Sequence, residues 1–251
     1  MNCLSKNQLK NLAAYRLQKR CDEEGVFVVE GVKLCHEALL SDFAIRIVCG
    51  TSEYMQSNID GLDRCGEAYV VTDEQLERLS LMRTPNKVWM LVERKKENSK
   101  SKIQNSELVL ALDGLQDPGN MGTILRIADW FGIRHVVCGT GTVSCYNPKV
   151  VQSTMGAIFR THVDYCDLAQ WLGEKNNKGI DTYGAMLDGS DLYKTTLRRP
   201  AVLVIGNEGQ GISPTVARNI KHRITIPNIG GTCESLNAAT ATAILCSEFY
   251  R

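Results

Sequence analysis

Hydrophobic positions along the chain switch repeatedly between short unbroken runs and a three-to-four spacing, the pattern of strands alternating with helices. Ser5 to Lys19 places Leu9, Leu12, Ala13 and Leu17 on one side and predicts an amino-terminal helix. VFVVEG (Val26 to Gly31) predicts a strand, and VKLCHEALL after it a helix with Leu34, Ala38 and Leu39 inward. IRIVCG (Ile45 to Gly50) and EAYVV (Glu67 to Val71) are further strands, with a short helix between them at Ser52 to Asn58. TDEQLERLS is a helix capped by Thr72 or Asp73 with Leu76 and Leu79 inward, and KVWMLVE (Lys87 to Glu93) closes the first half as a strand. Residues 1–93 are thus expected to fold as one α/β domain.

The pattern breaks at RKKENSKSKIQNSE (Arg94 to Glu107), which is polar and basic with Ile103 its one apolar residue. Residues 94–106 read as an interdomain linker, and 107–251 as a second domain. LVLAL (Leu108 to Leu112) is a continuous apolar run typical of a strand buried on both faces. Asn120 is the expected N-cap of the helix MGTILRIADWFG, which ends at Gly132. Strand HVVCG and loop GTGTVSCYNP follow, then a helix from Asn147 to about Phe159 with Pro148 in its first turn. Strand HVDY, helix DLAQWLGEK, strand IDTYGAML and a turn at DGSDLYKTT come next. Finally AVLVIGNEGQGIS (Ala201 to Ser213) and ITIPNIGGTCESLNAATATAILCSEF (Ile224 to Phe249) each read as strand, glycine loop and helix. The expected architecture is α/β, a mainly parallel sheet with helices on both faces. Two glycine loops leaving strand ends are where such sheets bind ligands.

Composition adds limits. The chain has 251 residues, 43% hydrophobic and 23% charged, with ten cysteines and a net charge of +1. That charge neither advertises a nucleic-acid partner nor excludes one, because local patches matter more than the sum. The first twenty residues carry Lys6, Lys10, Arg16, Lys19 and Arg20 and no acid, and read equally as a solvated helix or a nucleic-acid contact. The cysteines are scattered with no C-x-x-C pair, and several sit in apolar runs, where cysteine acts as a small hydrophobe. No signal-peptide core and no membrane-length run is present, so a reduced, cytoplasmic, soluble protein is expected.

Generic motifs exclude more than they identify. GNEGQG is not the G-x-G-x-x-G of a dinucleotide fold, which argues against a nicotinamide-dependent oxidoreductase. No P-loop and no G-x-S-x-G is present. His36, His135, His162 and His222 have no ligand spacing, so no metal is expected.

Three segments together are more specific. Asn120-Met-Gly-Thr-Ile-Leu-Arg126 opens a helix, Gly206-Asn207-Glu208-Gly209-x-Gly211 follows a buried strand, and Ile226-Pro227 leads to Glu234-Ser235-Leu236-Asn237 before an alanine-rich helix. In this order they resemble the three motifs of the SpoU (TrmH-like) RNA ribose 2′-O-methyltransferases, which use S-adenosylmethionine. The first half is similar to the ribosomal-protein-like RNA-binding domain often found before that catalytic domain. The resemblance implies a homodimer, an active site built from both protomers, and a carboxyl-terminal segment threaded into a deep trefoil knot, against the usual un-knotted topology. It assigns cofactor contacts to Gly206, Asn207, Gly209, Gly211, Ile226 and Leu236, and the reaction to Arg126, Asn120, Glu208, Ser235 and Asn237. Arg126 would bind a substrate phosphate and orient the ribose, since a guanidinium is a poor base. Asn120 would cap its helix and fix Arg126; Glu208 would hold Arg126 or a substrate group. Ser235 and Asn237 also suit a helix cap. The third motif departs from the family's usual I-P-M-x-G, with Asn228 in place of the methionine and one residue more before Glu234. Ribosomal RNA is the expected substrate, with transfer RNA, or RNA binding without catalysis, as the alternatives.

Overall fold

The computed structural model describes residues 2–95 and 107–251. The expected linker at 94–106 lies outside the described residues, apart from Arg94 and Lys95. In chain order the first elements are β1 (Asn2–Cys3), α1 (Lys6–Ala13), α2 (Gln18–Glu24), β2 (Val26–Glu30), α3 (Val32–Leu40), β3 (Ile45–Gly50), α4 (Ser52–Ser57), α5 (Ile59–Leu62), β4 (Glu67–Val70), α6 (Asp73–Leu79) and β5 (Val88–Glu93). There follow β6 (Leu108–Leu112), α7 (Pro118–Trp130), β7 (His135–Cys138), α8 (Pro148–Ser153), β8 (His162–Tyr165), α9 (Leu168–Asn177), β9 (Asp181–Asp191), β10 (Ala201–Ile205), α10 (Pro214–Ala217), β11 (His222–Thr225) and α11 (Ala238–Phe249).

The described residues form two compact units. The first comprises residues 2–95 with Tyr146–Phe159, and the second residues 107–145 with 160–251. The first unit holds a five-stranded sheet ordered β1-β4-β3-β5-β2, parallel between β1, β4 and β3 and antiparallel along both edges of β5. The segment 146–159 comes from the second half of the sequence, yet Val151, Ile158 and Phe159 share a buried cluster with Phe27, Val29 and Phe43. Tyr146 lies 4.8 Å from the Phe27 ring. Apolar matter at both ends of this segment finds its water-excluding partner on β2, so burial places it with the first unit.

Several boundaries differ from expectation for local reasons. The amino-terminal helix stops at Ala13, passes through one 3-10 turn, and restarts at Gln18. Leu17, expected inward, caps the second piece in extended conformation and is 67% exposed. The helix expected to run to Phe159 ends at Ser153, because Met155 and Gly156 both have positive φ. The expected turn at DGSD instead continues β9 to Asp191.

The second unit is a six-stranded sheet ordered β11-β9-β10-β6-β7-β8, with every pair parallel. β6 and β10 sit in its middle and are buried along their whole length, as unbroken apolar runs require. Their register pairs Leu112 with Ile205, so the loops that follow leave the sheet side by side. From β6 the chain winds outward through β7 and β8, then returns on the far side of β10. The crevice at the β6/β10 carboxyl ends is therefore the topological switch point of the sheet. All ten cysteines are free thiols, and burial pushes those of Cys49 and Cys246 up to about 12, consistent with apolar filler.

Candidate active site

Three loops meet at that carboxyl edge: 113–117 after β6, 206–213 after β10 and 226–237 after β11. The second is closed on itself. Asn207 and Gly211 exchange backbone hydrogen bonds, each 2.9 Å, and the Asn207 side chain accepts from Gly209 N at 2.9 Å and Gln210 N at 3.0 Å. Closure this tight requires glycine at two places. A Cβ on Gly206 would come within 2.3 Å of the Gly211 carbonyl carbon, and Gly211 has φ +67. The loop is also tied to the first one: Asn207 Nδ2 donates to the Gly114 carbonyl at 2.8 Å, and Ser213 N donates to Asp113 Oδ2 at 2.7 Å.

Helix α7 begins earlier than expected, and this changes the role of Asn120. Asp117 is the N-cap, accepting from Asn120 N at 2.7 Å, with Pro118 in the first turn. Asn120 therefore lies inside the helix and its side chain is free to reach across. Its Nδ2 donates to Glu208 Oε1 at 3.0 Å, and its Oδ1 accepts from Asn237 Nδ2 at 2.8 Å. Asn237 meanwhile caps α11, its Oδ1 accepting from Ala239 N and Thr240 N. One chain of side chains thus joins the three motifs, Glu208 to Asn120 to Asn237.

The Glu208 carboxylate also accepts from Asp117 N at 3.3 Å and Gln116 N at 3.4 Å. Burial pushes this carboxyl up, but the Asn120 amide and those backbone N–H groups outweigh it and hold it below its ordinary 4.5. Glu208 consequently fixes Asn120 and the start of α7, not Arg126 as one expectation had it. Arg126 is exposed and makes no hydrogen bond or ion pair among the described residues, so neither Asn120 nor Glu208 holds it within this chain. One turn later on the same helix, Trp130 is 86% exposed.

In the third loop Ile226 is partly buried, while Ser235 and Leu236 are exposed and stand free of hydrogen bonds among the described residues. Asn228, which replaces the family's usual methionine, organises the longer loop. Its side chain accepts from Gly231 N at 2.7 Å and donates to the Gly231 and Cys233 carbonyls at 3.1 and 3.2 Å. Sequence reasoning missed this anchor, along with Asp113 and Asp117. The Asp-Pro pair at 117–118 was a legible helix start, whereas Asp113 and Asn228 act through partners that only folding brings near. Among the described residues no cluster of histidine, cysteine or acidic side chains could hold a metal ion.

Residues 107–247 match the SpoU rRNA Methylase family, and residues 6–89 the MRM3-like substrate binding domain. The chain belongs to the SpoU rRNA methylase family. Its fold matches a TrmH-family structure from Porphyromonas gingivalis at TM-score 0.89 and 43% identity, covering 98% of each chain. An rRNA methyltransferase from Sinorhizobium meliloti with AdoMet (S-adenosylmethionine) bound matches at TM-score 0.88 and 26% identity, over 99% of this chain and 96% of that one. The 23S rRNA (guanosine(2553)-2′-O)-methyltransferase RlmP of Bacillus subtilis is 29% identical over 96% of this chain and 95% of its own length. Membership makes the protein an RNA methyltransferase of SpoU type with S-adenosylmethionine as methyl donor. The loops suit that cofactor: 206–211 and 226–236 offer backbone groups and the apolar Ile226 and Leu236 at a strand-end crevice, with little fixed charge to oppose a cationic sulfonium.

Proposed function

We propose that this protein methylates a ribose 2′-hydroxyl of large-subunit ribosomal RNA. The observation that carries the reading is the chain Glu208–Asn120–Asn237, which locks the three family motifs into one site at the β6/β10 crevice. When bound, S-adenosylmethionine supplies an electrophilic methyl on sulfur. The 2′-oxygen forms the new C–O bond as the C–S bond breaks, S-adenosylhomocysteine leaves, and the hydroxyl proton passes to a base or to solvent. The protein must hold nucleophile and methyl in line and assist loss of that proton. Gly206, Asn207, Gly209, Gly211, Ile226 and Leu236 hold the cofactor in this reading. Ser235 and Asn237 stand beside the transferred methyl, and Arg126 binds a phosphate of the substrate nucleotide.

Among the described residues Arg126 has no hydrogen-bond or ion-pair partner, and Trp130 is bare on the same helix. Both support a homodimer in which α7 faces a second protomer and Arg126 completes the site there. The family's trefoil knot in residues 107–251 and a cytoplasmic location, the latter supported by ten free thiols, belong to the same proposal, as does the assignment of residues 1–93 to RNA binding. The test is transfer of labelled methyl from S-adenosylmethionine to ribosomal RNA and to transfer RNA, with Arg126→Ala alongside. Transfer to ribosomal RNA that falls by about 10²-fold in Arg126→Ala through lost positioning of the ribose, at unchanged cofactor affinity, is expected. Transfer to transfer RNA alone overturns the substrate, and cofactor binding without transfer to any RNA overturns the enzyme reading.

A further inference from the structure

The first unit contains a pocket of about 560 Å³ at the amino end of α3. That is within the roughly 300–1,000 Å³ of small-molecule and cofactor sites. One buried residue builds it. The Glu30 side chain, 4% exposed, accepts from Leu81 N at 2.8 Å and from the Ser80 hydroxyl, which in turn accepts from Met82 N at 3.0 Å. The Glu30 carbonyl accepts from Gln152 Nε2 at 3.1 Å. The two walls, one bearing Met82 and Asn86 and the other Met155, are therefore tied to the end of β2 through a single residue. Each oxygen of the Glu30 carboxylate thus accepts one hydrogen bond from this framework.

The lining has two characters. Val32 and Met155 line the pocket while 42% and 47% exposed, and Met82 adds a third apolar surface. Met155 is also held at φ 50, a conformation non-glycine residues adopt at a cost and one that concentrates at ligand sites. Among these apolar groups stand two amides of opposite polarity. Asn86 uses its oxygen on Lys87 N and leaves Nδ2 as a donor; Asn58 uses its nitrogen on the Tyr54 carbonyl and leaves Oδ1 as an acceptor. Lys33 and His36 add cationic or donor groups, and Gly31, the N-cap of α3, has no side chain to cap the helix's first N–H groups.

We propose that this pocket receives one nucleotide of the RNA substrate, splayed out of its strand. Its base lies among Val32, Met82 and Met155 with its edge on Asn58 Oδ1 and Asn86 Nδ2, and its phosphate lies near Lys33. Sequence-specific RNA recognition works largely on such unstacked bases, which need an apolar platform and a few edge contacts. The inference rests on the RNA methyltransferase reading and adds where the first unit grips its substrate.

The test uses the full-length protein and ribosomal RNA fragments to which the wild type binds, with binding and methyl transfer read separately. Met82→Trp fills the pocket, Lys33→Glu reverses its charge, and Leu40→Ser changes an exposed residue of α3 that does not line it. The first two are expected to raise KM and Kd for RNA by about tenfold or more, with kcat and S-adenosylmethionine affinity unchanged, and Leu40→Ser to change neither. RNA carrying 4-thiouridine should cross-link to the peptide bearing Met82 in the wild type. Wild-type RNA affinity in both pocket variants overturns the proposal. A wild type that methylates no RNA, yet whose RNA binding weakens in Met82→Trp, sinks the methyl-transfer reading and leaves the pocket assignment standing.

Discussion

Gly206→Ala tests most directly the proposal that the 206–213 loop holds the cofactor. The added methyl would sit 2.3 Å from the Gly211 carbonyl carbon and 2.4 Å from Ile212 N, against a carbon–carbon contact distance of about 3.5–4.0 Å. Both neighbours are backbone, so no side chain can rotate away. The limbs of the loop must part by more than about 1 Å on the same count, and they are held together by the two 2.9 Å hydrogen bonds between Asn207 and Gly211. Losing both at about 1 kcal/mol each gives about 2 kcal/mol, equivalent to about thirtyfold weaker binding of S-adenosylmethionine. The fold should survive, because β10 above the loop is fully buried and unaltered. Titration calorimetry with S-adenosylmethionine and S-adenosylhomocysteine reads the loss, and circular dichroism confirms the fold. Gly211 provides the contrast: nothing lies within 4 Å of its added Cβ but its φ is +67. Gly211→Ala should then cost about 1–2 kcal/mol by strain alone, and Gly211→Asn less, since asparagine tolerates this conformation. Wild-type cofactor affinity in Gly206→Ala would refute the placement of the cofactor on this loop.

Glu208→Gln should remove a pH-dependent part of stability. The folded carboxyl is held below its ordinary 4.5, so its contribution is fully present above that value and is lost as pH falls through the depressed one. Urea midpoints measured downward from pH 6 should therefore fall more steeply in the wild type than in Glu208→Gln, and equal slopes would show the carboxylate bonds to be too solvent-screened to matter. Glu30→Ala leaves Leu81 N and the Ser80 hydroxyl without their acceptor, which should cost about 1–3 kcal/mol. Denaturant unfolding should show the loss while S-adenosylmethionine affinity, which the proposed site assigns to the second unit, stays at the wild-type value.

The unbroken apolar runs LVLAL and AVLVI were legible as buried strands, and their bounds in the structure are Leu108–Leu112 and Ala201–Ile205. Five consecutive apolar residues have no solvated face to offer, so only the centre of a covered parallel sheet accommodates them. Capping was legible where one signal stood alone, as at Asn147-Pro148, and misread where two competed. Asp117 prevailed over Asn120 because Pro118 after it already has the φ a first helical turn needs. Leu17 was misplaced because helical spacing carries no information about where a chain breaks the helix.

The chemistry at the site follows the same division. Local signals alone marked glycine loops at strand ends and polar residues at helix starts; it was the resemblance of the three motifs to the SpoU family that singled out Asn120, Arg126, Glu208, Ser235 and Asn237. Tertiary structure decided who meets whom. Asn120 joins Glu208 across 88 residues of sequence and Asn237 across 117; the parallel register of β6 and β10 sets the first meeting and the packing of α11 on α7 the second, and no local pattern encodes either. It also moved 146–159 into the first unit, because burial is settled by whichever apolar surface the folded chain brings within reach.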